Sequence, residues 1–276
     1  MNKFTIAHSP DTDDVFMFWA IATGRLDTQD RSYELLAEDI EVLNREALKG
    51  TYEITAISFG AYPQICDGYA ILDSGASIGN NYGPILVAGK GADLSSLSGA
   101  KIAIPGKMTT AYLALQLALP DFEAIEMNFK EVGPAVARGD VAAGLLIHEG
   151  QLTWQDLGLA KVLDLGEWWH ARHQLPIPLG GNAIRRDLGP ELMDLCAEDC
   201  RKSIELALEH RDEALRWTQE RCPGLDFEEG HKYLDMYVNE ETRSMSAATR
   251  KAIGLLFQEG VEAGIVSEGI SVDIIG

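Results

Sequence analysis

The sequence predicts an α/β protein of two lobes, and three observations carry that expectation. Strand-like and helix-like runs alternate from residue 3 to about residue 150, the pattern of a parallel-rich sheet with covering helices. The 276 residues suit two moderate domains, and 46% hydrophobic against 24% charged residues describes an ordinary buried core. From residue 190 to residue 263 the alternation gives way to helices, so the chain is expected to leave a second lobe and return to the first.

Taken in order, "KFTIAH" reads as a strand, and Ser9 with the acids of "SPDTDD" supplies capping chemistry for a helix through "VFMFWAIATG", stopped by Gly24. "SYELLAE" is a strand, "IEVLNREALKG" a helix stopped by Gly50, and "YEITAISF" a further strand, with "GAYPQICDG", "YAILDSG" and "YGPILVAG" continuing the series. A second series follows: strand "AKIAIPG", helix "TTAYLALQLAL", strand "FEAIEMNF", short helix "GPAVARGD" and strand "VAAGLLIHE". The predicted organisation is a discontinuous large lobe of residues 1–88 and 178–276 and a small lobe of residues 89–177. Two crossovers, near "GPILVAGKG" and "IPLGGNAIRR", would join them around a ligand cleft.

Composition narrows the function. With 23 Lys plus Arg against 43 Asp plus Glu, the net charge of −20 repels nucleic-acid backbones and anionic lipid, so neither is an expected partner. "MNKFTIAHSPDTDD" lacks a long apolar signal segment, and no run approaches the roughly 18 apolar residues of a membrane span. If Met1 is the native start, the expectation is a cytoplasmic protein. Cys66, Cys196, Cys200 and Cys222 show no metal or redox spacing, and Cys196 and Cys200 fall on one apolar stripe with Leu192, Ile204 and Leu208. Glu167, His170 and His173 in "EWWHARH" do not have the spacing of a zinc motif, so no metal is expected. Nothing in the chain indicates an oligomeric state.

Three stretches could carry chemistry. "IPGKMTTAYLAL" sets Gly106, Lys107, Thr109 and Thr110 between a strand and a helix, where the turn either caps the helix or binds an anion; Met108 rules out a nucleotide-binding P-loop. In "SPDTDDVF", Asp11, Asp13 and Asp14 either cap a helix or orient a hydroxyl or a water in the cleft. His148 ends the apolar run "GLLIHE", where open α/β sheets bind ligands, so it is either structural or a neutral imidazole acting as a base near pH 7. Glu149 would face the other way, toward structure or solvent.

Several stretches together, "LLIHE", "IPGKMTTAYL", "EDIEVLNREALKG", "ISFGAYPQI" and "LDLGEWWHARHQLPIPLG", resemble the 1,4-dihydroxy-6-naphthoate synthase family of the futalosine route to menaquinone. The similarity runs in order from "HSP" to at least "IRRDLG". It implies a periplasmic-binding-protein-like fold with two crossovers and a central cleft, used for catalysis. It also implies a lyase that turns cyclic dehypoxanthine futalosine into 1,4-dihydroxy-6-naphthoate, with a small-molecule carboxylate as substrate and no metal or organic cofactor. His148 matches the family's base, Thr109 and Thr110 its ligand-binding turn, and Asn44 and Ser58 positions lining the cleft. Where the family commonly has Ser-Pro-Cys-Pro-Asn-Asp, this chain has "SPDTDD", retaining Ser9, Pro10 and Asp14, of which Ser9 and Asp14 are candidate substrate contacts. Lys107 is the candidate cation for the carboxylate. The alternatives are chorismate dehydratase of the same pathway, or a solute-binding protein that captures a small carboxylate without reaction.

Overall fold

The computed structural model describes residues 2–276. Its strands are β1 (Asn2–His8), β2 (Arg31–Ala37), β3 (Ile54–Ser58), β4 (Tyr69–Leu72), β5 (Ser77–Gly79), β6 (Ile85–Ala88), β7 (Lys101–Ile104), β8 (Glu123–Glu126), β9 (Ala143–Leu146), β10 (Ala160–Asp164), β11 (Ile177–Arg185) and β12 (Ile274–Ile275). The helices are α1 (Thr12–Met17), α2 (Trp19–Ala22), α3 (Ile40–Ala47), α4 (Thr110–Ala118), α5 (Phe129–Arg138), α6 (Gly150–Thr153), α7 (Leu165–His173), α8 (Pro190–Glu209), α9 (Arg211–Gln219), α10 (Phe227–Tyr237), α11 (Glu240–Arg243) and α12 (Ala247–Glu262).

The strands form two sheets. The larger runs β12-β4-β11-β3-β1-β2 with β5 paired to β11, and the smaller runs β10-β6-β9-β7-β8. Both are mixed rather than parallel-rich: β1 lies parallel to β2 and β3, and β7 to β8 and β9, whereas β11 is antiparallel to β3, β4 and β5, and β6 to β9 and β10.

The helix boundaries follow local chemistry. Asp39 caps α3 through the Glu41 N–H, and the chain leaves that helix through Gly50 at φ 66°, a left-handed conformation that glycine adopts without penalty. Asn128 caps α5 through the Lys130 N–H, so that helix starts before the expected "GPAVARGD" and carries Pro134 inside it. On α8 the Cys196, Cys200 and Ile204 stripe is buried against β1 and α1, in one cluster with Ile6, Phe16 and Ile184. The thiols are free and act as core residues.

Four strands were not expected: the short β5 and β12, β10, which has no clear alternation, and β11, which occupies "IPLGGNAIR", where a bare crossover was anticipated. Gly180 explains the last case: a Cβ there would stand 2.9 Å from the Ile57 carbonyl oxygen, so only glycine lets β11 lie this close to β3. β6 belongs to the smaller sheet, which puts the first crossing between sheets at residues 80–84, ahead of the boundary expected at residue 88. The second crossing follows α7. Helix α12 spans both sheets, since Ile253, Leu256 and Phe257 share one apolar cluster with Ile57 and Tyr62 of the larger side and Ile102, Ile104 and Leu113 of the smaller.

Candidate active site

Four loops meet between the sheets, each at the carboxyl end of a strand: Ser9–Asp14 after β1, Ser58–Gly60 after β3, Gly106–Thr110 after β7 and Ile147–Gln151 after β9. That is where open α/β sheets leave unpaired backbone and a crevice. The cavity encloses about 650 Å³, its mouth included, and is lined by Ser9, Asp11, Asp13 and Asp14 on one side and Ser58, Thr109, Thr110, His148 and Gln151 on others. Ile40, Ile57, Ile147 and Leu179 give it an apolar remainder, and Tyr233 and Tyr237 of α10 close one wall.

β9 stops at Leu146, and His148 stands beyond it in the left-handed region at φ 52°, uncommon for a residue with a Cβ. This bend turns the imidazole toward α1, where Nδ1 meets Asp11 Oδ2 in a short ion pair. Asp11 occupies the N-cap position of α1 yet makes no capping hydrogen bond with its side chain; the carboxylate is given to His148 instead. His148 Nε2, Asp11 Oδ1 and Ser9 Oγ are buried without a protein partner, and all three residues line the cavity. Buried polar atoms of this kind are seldom left unpaired, so they mark where a ligand's polar groups can be received.

The charges are strongly coupled. Burial disfavours a charged His148, but the Asp11 carboxylate and its hydrogen bond, with Glu149 and Asp13 nearby, outweigh burial and lift the imidazole to about 10. The neutral ring expected at pH 7 is therefore the minor form there. Burial likewise works against the Asp11 charge, and His148 holds that carboxyl below its ordinary range. Burial and the Asp11 charge push Asp13 up to about 8, so it carries a proton at neutral pH, while Ser77 Oγ donates to it at 2.7 Å and the Tyr233 hydroxyl at 3.3 Å. Burial and the Asp11 charge also raise Asp14 well above the usual range; it accepts the Ser9 N–H at 2.7 Å.

On the opposite side, the Thr109 hydroxyl caps α4, accepting the Tyr112 N–H at 3.2 Å and donating to the Gly106 carbonyl at 2.8 Å. The Thr110 hydroxyl accepts the Gly60 N–H at 2.8 Å and donates to the Leu179 carbonyl. Both hydroxyls are thus committed to structure, and what α4 offers a ligand is the backbone N–H groups of its first turn, which have no partner within the helix. Gly106 is required here, since a Cβ would stand 2.3 Å from Glu41 Oε2, the atom that accepts the Met108 N–H at 3.0 Å.

Among the expected residues, Ser9, Asp14, Ser58, Thr109, Thr110 and His148 line one cavity. Asn44 stands behind it, fully buried, with its amide donating to Ser58 Oγ at 3.1 Å and accepting the Ser58 N–H at 2.8 Å. Lys107 is not part of the site: it is exposed and does not line the cavity, because the turn buries Gly106 and Met108 on either side of it and points the intervening side chain to solvent. In "EWWHARH", His173 pairs with Glu259 of α12 at 3.2 Å, a packing contact. Asp11 and Asp13, two of the acids of "SPDTDD" read as either helix caps or cleft groups, also line the cavity. Ser77, Gln151 and the two tyrosines were missed, and nothing local marks them.

Asp11, Asp13 and His148 each present a donor atom, all within 4.8 Å of one another, so these three could hold a divalent cation if it displaced the proton between Asp11 and His148. Among the described residues, no helix is long and apolar enough to cross a membrane.

The architecture, two mixed sheets with a cleft at their strand ends, is the periplasmic-binding-protein-like fold. A Candida albicans protein described as having the generic periplasmic binding protein fold superposes at a TM-score of 0.70 and 15% identity, covering 98% of this chain and 92% of its own. Closer likeness is to a crystal structure of an Archaeoglobus fulgidus protein, with a TM-score of 0.91 and 45% identity over 96% of this chain and 98% of that one. The family model for menaquinone biosynthesis matches residues 4–262. A Thermus thermophilus protein named 1,4-dihydroxy-6-naphthoate synthase is 37% identical over 267 residues, 97% of each chain. The chain belongs to this menaquinone-biosynthesis family.

Proposed function

We propose that the chain is a carbon–carbon lyase converting cyclic dehypoxanthine futalosine into 1,4-dihydroxy-6-naphthoate, acting in the cytoplasm without metal or organic cofactor. The observation that carries this reading is the Asp11–His148 pair, with His148 Nε2 free of any protein partner, on a cavity with an apolar part for a ring system and a polar part for hydroxyls. Family membership and the full-length relative support the choice of substrate.

In this reading the two sheets are the cores of two lobes that close on the substrate. Asp11 fixes the Nδ1–H edge of the ring, and Nε2 of the neutral form removes a proton next to a substrate carbonyl. The electron pair left behind expels the sugar-derived fragment as the ring system becomes aromatic. Asp13, protonated at neutral pH, is placed to return a proton to the departing fragment. The substrate carboxylate is received by the backbone N–H groups at the start of α4, since Lys107 is turned away. Ser9, Asp14 and Ser58 contribute polar contacts to the hydroxyls, and Asn44 acts through Ser58.

Purified protein incubated with cyclic dehypoxanthine futalosine should release 1,4-dihydroxy-6-naphthoate, detected by mass spectrometry. Turnover of chorismate instead would establish the sister dehydratase activity, and tight binding of either without reaction would establish a solute-binding protein.

A further inference from the structure

Two consecutive residues on each side of the cleft meet in register. Asp11 pairs with His148, and next to it the Thr12 N–H and hydroxyl both donate to Glu149 Oε1, at 3.0 and 2.9 Å. Thr12 belongs to the larger sheet's α1 and Glu149 follows the smaller sheet's β9, so this contact ties the two sheets together directly beside the dyad. We infer that Glu149 is a positioning residue that holds His148 against Asp11 by clasping Thr12 across the cleft.

Three features support this assignment. Glu149 does not line the cavity, so a role in binding substrate is not available to it. His148 sits in a left-handed backbone conformation that a non-glycine residue keeps only when its surroundings hold it there, and the clasp fixes the very next residue. The two halves of the Asp11–His148 contact ride on different sheets, so a tie between the sheets beside it bears on it directly, and the Thr12 N–H at the first position of a helix has no intrahelical partner competing for it. One turn on, the Tyr237 hydroxyl of α10 donates to Gln151 Oε1 at 2.7 Å, a second tie on the same loop.

The kinetic part of the test rests on the proposed lyase reading; amide exchange tests the clasp without it. Glu149→Ala should lower kcat by about 10- to 100-fold, the range expected for hydrogen bonds to a charged acceptor, with KM changing far less. Glu149→Gln keeps an oxygen that can accept both Thr12 donors and should recover most of that loss. Thr12→Val, which removes one donor and preserves shape, should fall between them. In the ligand-free protein, hydrogen–deuterium exchange at residues 11–14 and 146–151 should accelerate in Glu149→Ala while exchange in α8 stays as in the wild type. A Gln variant as impaired as the Ala variant, or unchanged exchange in the Ala and Val variants, overturns the clasp. Absence of turnover by the wild type would sink the lyase reading alone, and the exchange comparison would still decide the role of Glu149.

Discussion

Asp11 and His148 form their ion pair across the cleft, one from the turn that enters α1 and the other from the bend that leaves β9, so neither sheet contains the dyad by itself. The geometry has a direct chemical consequence. The Asp11 charge, working against burial, raises the His148 imidazole to about 10, which makes it a stronger base but keeps it protonated at neutral pH.

The pH profile follows from that sign. The neutral, proton-accepting ring becomes available as pH rises toward about 10 while Asp13 loses its proton through about 8, so kcat/KM of the wild type should climb from neutral pH to about 8 and then level off. Asp11→Asn removes the charge that raises the ring, so the acidic limb should move to lower pH, with a smaller plateau rate. A limb at the same pH in both proteins would mean that Asp11 does not set the basicity of His148.

Stability should respond to pH in the opposite direction. Asp13 binds a proton more tightly in the folded protein, at about 8, than in the unfolded chain, near the ordinary 3.8, so its contribution is full below the lower value and is lost as pH rises through the upper. Asp13→Asn should therefore melt higher than the wild type at pH 8.5, by about 2 °C or more, with the advantage gone at pH 4. Calorimetry at the two pH values checks this; an equal difference at both would show that Asp13 does not titrate in that window.

Thr109 illustrates where a residue's role is structural although its position is in the site. Its hydroxyl caps α4, so Thr109→Val should cost about 1 kcal/mol of stability. In the proposed reading the ligand is received there by backbone N–H groups, so product-analogue affinity should stay within about threefold. Denaturation and titration calorimetry separate the two, and a large loss of affinity with stability unchanged would return the hydroxyl to the ligand.

Metal dependence is equally open to test. In the proposed reading the proton between Asp11 and His148 takes the place a cation would need, so chelator-treated protein should keep full activity. Loss of activity restored by a divalent cation would assign the cluster to a metal.

Much of this was legible in the sequence because it is local. Alternating runs identified β1, α3, β3, β7 and α4, and the end of the apolar run "GLLIHE" put His148 at the mouth of a cleft. The missing parts are those fixed by long-range packing. The strand β11 is hidden by Gly180 and Gly181, the first required by the approach of the Ile57 backbone and the second packed against the Phe59 ring, neither chosen by strand propensity. Asp11 reads either as a helix cap or as a carboxylate acting in the cleft, and only the docking of the second sheet decides between them by bringing His148 to it. Tyr233 and Tyr237 lie on a helix whose arrival at the cleft depends on the chain's return to the larger sheet, which composition does not encode.

The proposed role of His148, removal of the proton that starts the reaction, is tested most directly by single-turnover product formation by His148→Asn at saturating cyclic dehypoxanthine futalosine. The variant should first be shown by calorimetry to be folded and to bind product analogue. Asparagine keeps a polar side chain but cannot accept a proton near neutral pH, so the rate should fall by roughly 10²- to 10⁴-fold against the wild type, with binding largely kept. A folded, ligand-competent variant that forms product within a few-fold of the wild-type rate would contradict the account and pass the role of base to the carboxylates of Asp11 and Asp14.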